Sequence, residues 1–210
     1  MDAEKRFLAL AERIDPERAR DLCSELGVGR NRALMVLLGT AFPPFAEFAG
    51  YRIEALERLA RDGIRASRRR QDLLTYARRA VAATEGGDAF ASALRRFAWA
   101  ERARIALREL LPLELGGASI ATTAHELSLL AEVTIELALE EAVHHVAERL
   151  GLAERANGEP SALAVFGMGK LGGEELNAGS DVDLIFVYDT DDSAGESSLH
   201  DHWTRVVRRW

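Results

Sequence analysis

Strand-like periodicity is confined to the end of this chain, and that limits it to a mostly helical fold with one small sheet. Residues 1–152 read as helix after helix. Asp15-Pro16 marks a helix start, because Asp caps free amides and Pro at the first helical position loses no needed N–H. That helix is expected to end at Gly27, where a left-handed residue is cheap. Further helical stretches are predicted over 30–38, 51–62, 70–84 and 88–111, with Gly86-Gly87 and Gly116-Gly117 as breaks. Thr123-Ala-His-Glu126 has the form of a capping box, and an apolar stripe follows from Leu127 to Leu150. Gly151 ends that helix.

The character changes at Asn157-Gly-Glu-Pro-Ser161, which reads as a linker. Residues 163–166 form a short run with β propensity. Leu184–Tyr188 is nearly continuous in β-branched and aromatic residues, the pattern of a strand buried on both faces. Ser197 or Ser198 is placed to cap a last helix, in which Leu199, Trp203, Val206, Val207 and Trp210 share a face. The expected fold class is α+β, mostly α, with a helical region over 1–156 and a second region over 157–210.

Composition narrows the function classes. The 210 residues are 48% hydrophobic and 29% charged, ordinary for a globular protein. A net charge of −7 argues against a dedicated nucleic-acid binder. The single cysteine, Cys23, permits neither an intrachain disulfide nor a cysteine zinc cluster, and reads as a small buried apolar residue. No apolar run approaches the ~18 residues of a membrane span. The best candidate, Ala33 to Phe42, is stopped by Pro43-Pro44. The N-terminus lacks the features of a secretion signal. A cytoplasmic protein without a membrane role is expected.

The informative stretch runs from Val165 to Asp183. Alternate residues of a strand share a face, so Asp181 and Asp183 are expected side by side. Two carboxylates this close repel unless a cation or proton lies between them. Mg²⁺ is a hard cation that takes a few carboxylates plus substrate phosphates. Upstream, Gly167, Gly169, Gly172 and Gly173 offer backbone amides to phosphate oxygens with no Cβ in the way, and Lys170 adds a point charge. Ser180 completes the loop. A phosphate cradle followed by an Asp-x-Asp strand suits nucleotidyl transfer by two metal ions.

Rival readings are weaker. Gly167-x-Gly169-x-x-Gly172 is formally a dinucleotide fingerprint, with Asp189 where a ribose acid would sit. That fold needs a full helix between the strands, and Asn177-Ala-Gly-Ser180 interrupts the space for one. A Walker P-loop is excluded because Leu171 follows Lys170. Glycine turns and surface aspartates with a purely structural role form the bland reading.

Phe166-Gly-Met-Gly-Lys-Leu-Gly-Gly-Glu-Glu-Leu-Asn-Ala-Gly-Ser-Asp-Val-Asp-Leu-Ile-Phe186 closely resembles the signature of the glutamine synthetase adenylyltransferase/adenylyl-removing family. That family belongs to the polymerase β-type nucleotidyltransferases. Leu94 to Leu111 and His125 to Ala131 resemble the helical segment that precedes its catalytic core, so the likeness covers residues 90–210. It implies a helical arm followed by the first strands of a polymerase β-type core. Asp181 and Asp183 would be catalytic metal ligands for Mg²⁺, with ATP or ADP as substrate or product. Glutamine synthetase would be the protein substrate and a PII-type signalling protein a further partner. Position in the chain points to the half that removes AMP by phosphorolysis.

Two departures stand out. Met168 lies where Ser or Gly is usual, and the family's third carboxylate, in an Asp-x-Arg-Leu-Arg-Pro-like segment, has no counterpart. The chain is therefore read as a fragment, inactive alone, with the stripe of its last helix exposed. The alternative is a helical partner-binding piece with a dead nucleotide site.

Other motifs read as structural. Glu141-Ala-Val-His144 has one copy of a di-iron spacing that needs two. His200-Asp-His202 reads as surface. Arg65, Arg68, Arg69, Arg70, Arg78 and Arg79 read as a solvated basic face.

Overall fold

The computed structural model describes residues 2–43, 64, 66–194 and 198–210. The helix expected over 51–62, Arg65 and Ser197 lie outside them. The elements are α1 (Ala3–Ile14), α2 (Pro16–Glu25), α3 (Arg30–Ala41), α4 (Arg70–Val81), α5 (Gly87–Leu110), a 3₁₀ turn (Leu113–Leu115), α6 (Ile120–Leu150), β1 (Leu163–Gly167), α7 (Gly169–Gly172), β2 (Leu184–Tyr188) and α8 (Leu199–Arg209). No helix among the described residues is long and apolar enough to cross a membrane. The chain forms two compact units. The first takes Met1–Arg68 and Arg96–Leu127, the second Arg69–Arg95 and Ser128–Trp210.

In the first unit α1, α2 and α3 pack together, and α3 is buried continuously from Ala33 to Gly39. Asp15 caps α2 as expected, accepting from the Arg18 amide at 3.0 Å. The end of α2 differs. The chain leaves the helix at Leu26 in an extended conformation, and the positive φ (122°) falls at Gly29, ahead of α3. The turn that needs glycine is the entry to α3, not the exit from α2.

The rest of this unit holds a buried charge cluster. Arg104 of α5 donates through Nε to Glu101 (2.8 Å), through Nη2 to Glu126 of α6 (2.8 Å) and through Nη1 to the Ala66 carbonyl (2.9 Å). Arg108 donates to Glu126 and to the Ser67 hydroxyl. Arg68 pairs with Glu101 and gives its amide to Glu126 at 2.9 Å. Burial alone would lower the pKa of Arg104, but Glu101 and Glu126 outweigh it and the direction is up. Burial prevails at Arg108, whose pKa is lowered. The expected Thr123–Glu126 capping box does not form. α6 starts at Ile120, the Ser119 hydroxyl accepts the Thr122 amide, and Glu126 turns inward to the arginines. Two buried guanidinium partners outweigh one local amide.

In the second unit α4 lies along α6. Arg70 pairs with Glu132 and Glu136, and Arg78 with Glu140. Arg69, Arg70 and Arg78, read as part of a solvated basic face, are exposed and also ion-paired. Glu141 accepts the Gly87 amide at 2.9 Å, which ties the start of α5 to α6, and His144 lies 3.4 Å from Glu148 one turn on in α6.

β1 and β2 pair antiparallel, with Leu163 opposite Tyr188 and Gly167 opposite Leu184. The expectation of a strand buried on both faces is corrected here. Leu184, Phe186 and Tyr188 are half-buried, whereas Ile185 and Val187 are 48% and 47% exposed and share the open face with Phe166. α8 covers only the inner face. Ser198 caps it by accepting the Asp201 amide at 3.1 Å. Leu199, Trp203 and Val206 are buried with Ala142 and Val146 of α6, against Leu163 and Tyr188. Trp203 Nε1 donates to Ser161 (3.0 Å), and Trp210 meets Phe186 edge-on at 5.6 Å. The apolar stripe of this helix is therefore mostly covered, not the exposed patch expected. Cys23 is half-buried.

Candidate active site

The expected linker is a folded turn. Glu154 pairs with Pro160, Arg155 with Ser193, and Gly158 takes φ 81°. Arg155 reaches Asp189 at the end of β2 through Nε (2.8 Å) and Nη2 (2.6 Å). Asp189 also accepts from the Ser161 hydroxyl (2.7 Å) and the Ala162 amide (3.2 Å). The Ser161 bond leads these effects, which hold the carboxyl at about 2. Asp189 is thus engaged as an anchor between the Arg155 turn and the end of β2. The antiparallel pairing of β1 and β2 is also opposite to the parallel strands of a dinucleotide unit.

β1 delivers the chain to Gly167. One step on, the Met168 amide donates to the Asp183 carbonyl at 2.8 Å, extending the ladder past both strands. Gly169 has φ 53°, and a Cβ there would lie 3.8 Å from Asp183 Oδ2. The glycine turn and the Asp183 carboxylate are thereby brought together. Asp181 and Asp183 are both exposed, and neither carboxylate has a partner among the described residues. No cluster of three His, Cys, Asp or Glu residues that could hold a metal occurs among them. Exposed, unpartnered carboxylates are hard oxygen donors of the kind that Mg²⁺ takes together with phosphate and water.

The glycines divide by role. The amides of Gly172 and Gly173 donate to the carbonyls of Met168 (3.3 Å) and Gly169 (3.1 Å), so they close the turn. The amides of Gly169 and Lys170 have no partner among the described residues, and the Lys170 side chain is exposed. A Cβ on Gly167 would meet Leu171 Cγ at 2.8 Å, and one on Gly172 would meet the Gly167 carbonyl at 2.5 Å. A Cβ on Gly173 would find nothing nearer than 3.7 Å. Gly172→Ala should therefore lower stability by about 1–3 kcal/mol through backbone displacement. Gly173→Ala should stay within about 0.5 kcal/mol. Thermal unfolding followed by circular dichroism checks this, and equal melting temperatures for the two variants would contradict it.

Ser180 closes the turn before Asp181. Its hydroxyl accepts the Asn177 amide (3.1 Å), its amide donates to the Asn177 carbonyl (3.1 Å), and Asn177 Oδ1 accepts the Gly179 amide (3.1 Å). Among the described residues, His200 and His202 belong to no group of three potential metal ligands. His200 Nδ1 shares a hydrogen bond with Tyr188 Oη (3.0 Å). His202 is buried edge-on against Trp203, and burial lowers its pKa.

Sequence reasoning missed Arg155 and Ser161 as the anchors of Asp189. It also missed Ser128 of α6, fully buried, whose Oγ lies 3.5 Å from the Leu176 amide in the loop between Gly173 and Ser180. No local pattern signals either, because their partners lie far along the chain.

Comparison with known proteins bears on this geometry. The sequence model of the family described as Glutamate-ammonia ligase adenylyltransferase matches residues 40–209. Curated relatives are named bifunctional glutamine synthetase adenylyltransferase/adenylyl-removing enzyme. The one from Burkholderia pseudomallei is 39% identical over 127 residues, which is 58% of this chain and 13% of that protein. That from Chromobacterium violaceum is 38% identical over 130 residues, 60% of this chain and 14% of the relative. That from Pseudomonas aeruginosa is 44% identical over 96 residues, 45% of this chain and 9% of the relative. The matches thus take in only a small part of the relatives' own length.

Proposed function

The chain belongs to the glutamate-ammonia ligase adenylyltransferase family, and from that premise we propose that residues 157–210 carry the metal- and phosphate-binding part of an adenylyl-transfer site acting on glutamine synthetase. Residues 1–156 form the helical region that precedes it. The observation that carries this reading is the Asp183 carboxylate, unpartnered and set over Gly169 beside the open amides of Gly169 and Lys170.

Asp181 and Asp183 would hold Mg²⁺, which when bound would neutralise negative charge on the phosphate oxygens and so ease attack on the phosphorus. The Gly169 and Lys170 amides and the Lys170 ammonium meet the phosphate oxygens. Gly167 and Gly172 keep the turn tight enough for that approach. In the removing direction a phosphate oxygen attacks the adenylyl phosphorus, the bond to the tyrosyl oxygen breaks, and ADP and free tyrosine result. In the adding direction the tyrosyl oxygen attacks the α-phosphorus of ATP and pyrophosphate leaves. We assign this chain to the removing direction, in the cytoplasm, with a PII-type signalling protein as a regulatory partner. The support for the partner is the resemblance of residues 90–210 to the family, and for the direction the helical region that precedes the motif.

Calorimetry tests the site directly. ADP or ATP is expected to bind the 210-residue chain in the presence of Mg²⁺ and to lose most of that affinity with EDTA. NAD should not compete, because a dinucleotide site holds pyrophosphate on backbone amides without needing a cation. Tight, metal-independent NAD binding would overturn the proposal.

A further inference from the structure

The two carboxylates of the site are held by different means. Asp183 is fixed by the Met168-to-Asp183 ladder bond at 2.8 Å. Asp181 has no such bond. Its place follows from the Asn177–Ser180 turn, and that turn follows directly on Leu176. Leu176 and Leu171 are 4% and 6% exposed, while residues 172–175 between them are exposed. The loop is thus anchored by two buried leucines, with a solvent-facing, hydrogen-bonded turn between them. At the second anchor the Leu176 amide is buried, and its one acceptor among the described residues is Ser128 Oγ, at 3.5 Å, itself 0% exposed. A buried amide without an acceptor is costly, so this contact decides whether the anchor holds.

We infer that Ser128 is a positioning residue of the site: by accepting the Leu176 amide it sets where Asp181 stands relative to Asp183. The inference rests on the proposed reading of those aspartates as a cation pair. Ser128 touches neither nucleotide nor metal and acts only through the loop. Alanine is well suited to a helix interior, so Ser128→Ala removes the hydroxyl while α6 remains helical.

The test has one arm without ligand and one with metal alone. By residue-resolved hydrogen exchange, the Leu176 and Ser180 amides of Ser128→Ala should exchange about five- to tenfold faster, as expected for one lost buried hydrogen bond. The α6 amides should be unchanged. Ser128→Thr, which keeps the hydroxyl, should restore the slow rate. Thr134→Ala is the control, since that hydroxyl bonds only carbonyls of its own helix, Leu130 (3.0 Å) and Ala131 (2.9 Å). With Mn²⁺ as the probe, at a temperature where both chains are fully folded, Ser128→Ala should bind several-fold more weakly than wild type. Unaltered exchange at Leu176, equal acceleration in Thr134→Ala or Ser128→Thr, or unaltered Mn²⁺ affinity beside faster exchange would each overturn the inference. A wild-type chain that binds no Mn²⁺ would sink the proposed carboxylate pair instead, and the tether is then judged by exchange alone.

Discussion

Glu126→Ala is expected to destabilise the first unit by about 3–5 kcal/mol, the range found when one member of a buried ion pair is removed. Glu126 is 1% exposed and receives Arg104, Arg108 and the Arg68 amide. Without it, the buried Arg104 keeps only Glu101 as an ion-pair partner, and the buried Arg108 keeps none among the described residues. Water cannot reach those guanidinium groups to replace the lost acceptor. A loss of that size is a large fraction of the ~5–15 kcal/mol that holds an ordinary domain together. Arg70→Ala is the comparison. Its pairs with Glu132 and Glu136 are near the surface, with Arg70 45% exposed. Such pairs contribute about 0–1 kcal/mol. Urea unfolding of the two variants decides: a Glu126→Ala midpoint no lower than that of Arg70→Ala would mean that the cluster is not what holds α5 to α6 within that unit.

Asp181→Asn and Asp183→Asn, introduced into a full-length family member that contains this segment, should each reduce one nucleotidyl-transfer activity by about 100-fold or more. Charge that builds on the transferred phosphoryl group is stabilised through the cation, and each carboxylate fixes that cation. Folding should be almost unaffected, because both side chains are exposed and make no contact that the amide would lose. Surface substitutions of this kind usually stay within about 0.5 kcal/mol. The phosphate- and Mg²⁺-dependent release of ADP from adenylylated glutamine synthetase provides the assay for the removing direction, and ATP-dependent adenylylation the assay for the other. Undiminished rates in both assays would refute the assignment of these aspartates.

What was legible in the sequence was local. Asp15 and Ser198 were readable as caps because donor and acceptor lie three residues apart. β1 and β2 were readable from their β-branched runs, to within a residue. The Thr123–Glu126 motif misled for the opposite reason: the partners that claimed Glu126 lie 18 and 22 residues away. Gly27 and Gly29 offered the same residue type two positions apart, and only the path of the chain into α3 selects between them. The burial of β2 could not be read from composition, since an apolar run does not say how many faces find a cover. At the site, the Asp-x-Asp spacing and the glycines were visible as a motif. Which amides remain open was not, because the turn spends those of Gly172 and Gly173 on its own carbonyls. The saturation of Asp189 was equally hidden, its arginine lying 34 residues earlier.

The open face of the sheet has a consequence for the behaviour of the polypeptide in bulk. Leu184–Tyr188 is a five-residue, uncharged segment of high β propensity, the kind that stacks into cross-β assemblies when its edge meets another copy. Asp181 and Asp183 precede it, and Asp189, Asp191 and Asp192 follow it. Charges in those flanking positions act as gatekeepers, since in-register stacking would pile like charges on one another. The pair read for its chemistry thus also opposes aggregation, and replacing it by Asn weakens that repulsion. The colloidal state of each Asn variant, measured by light scattering, therefore belongs beside its activity.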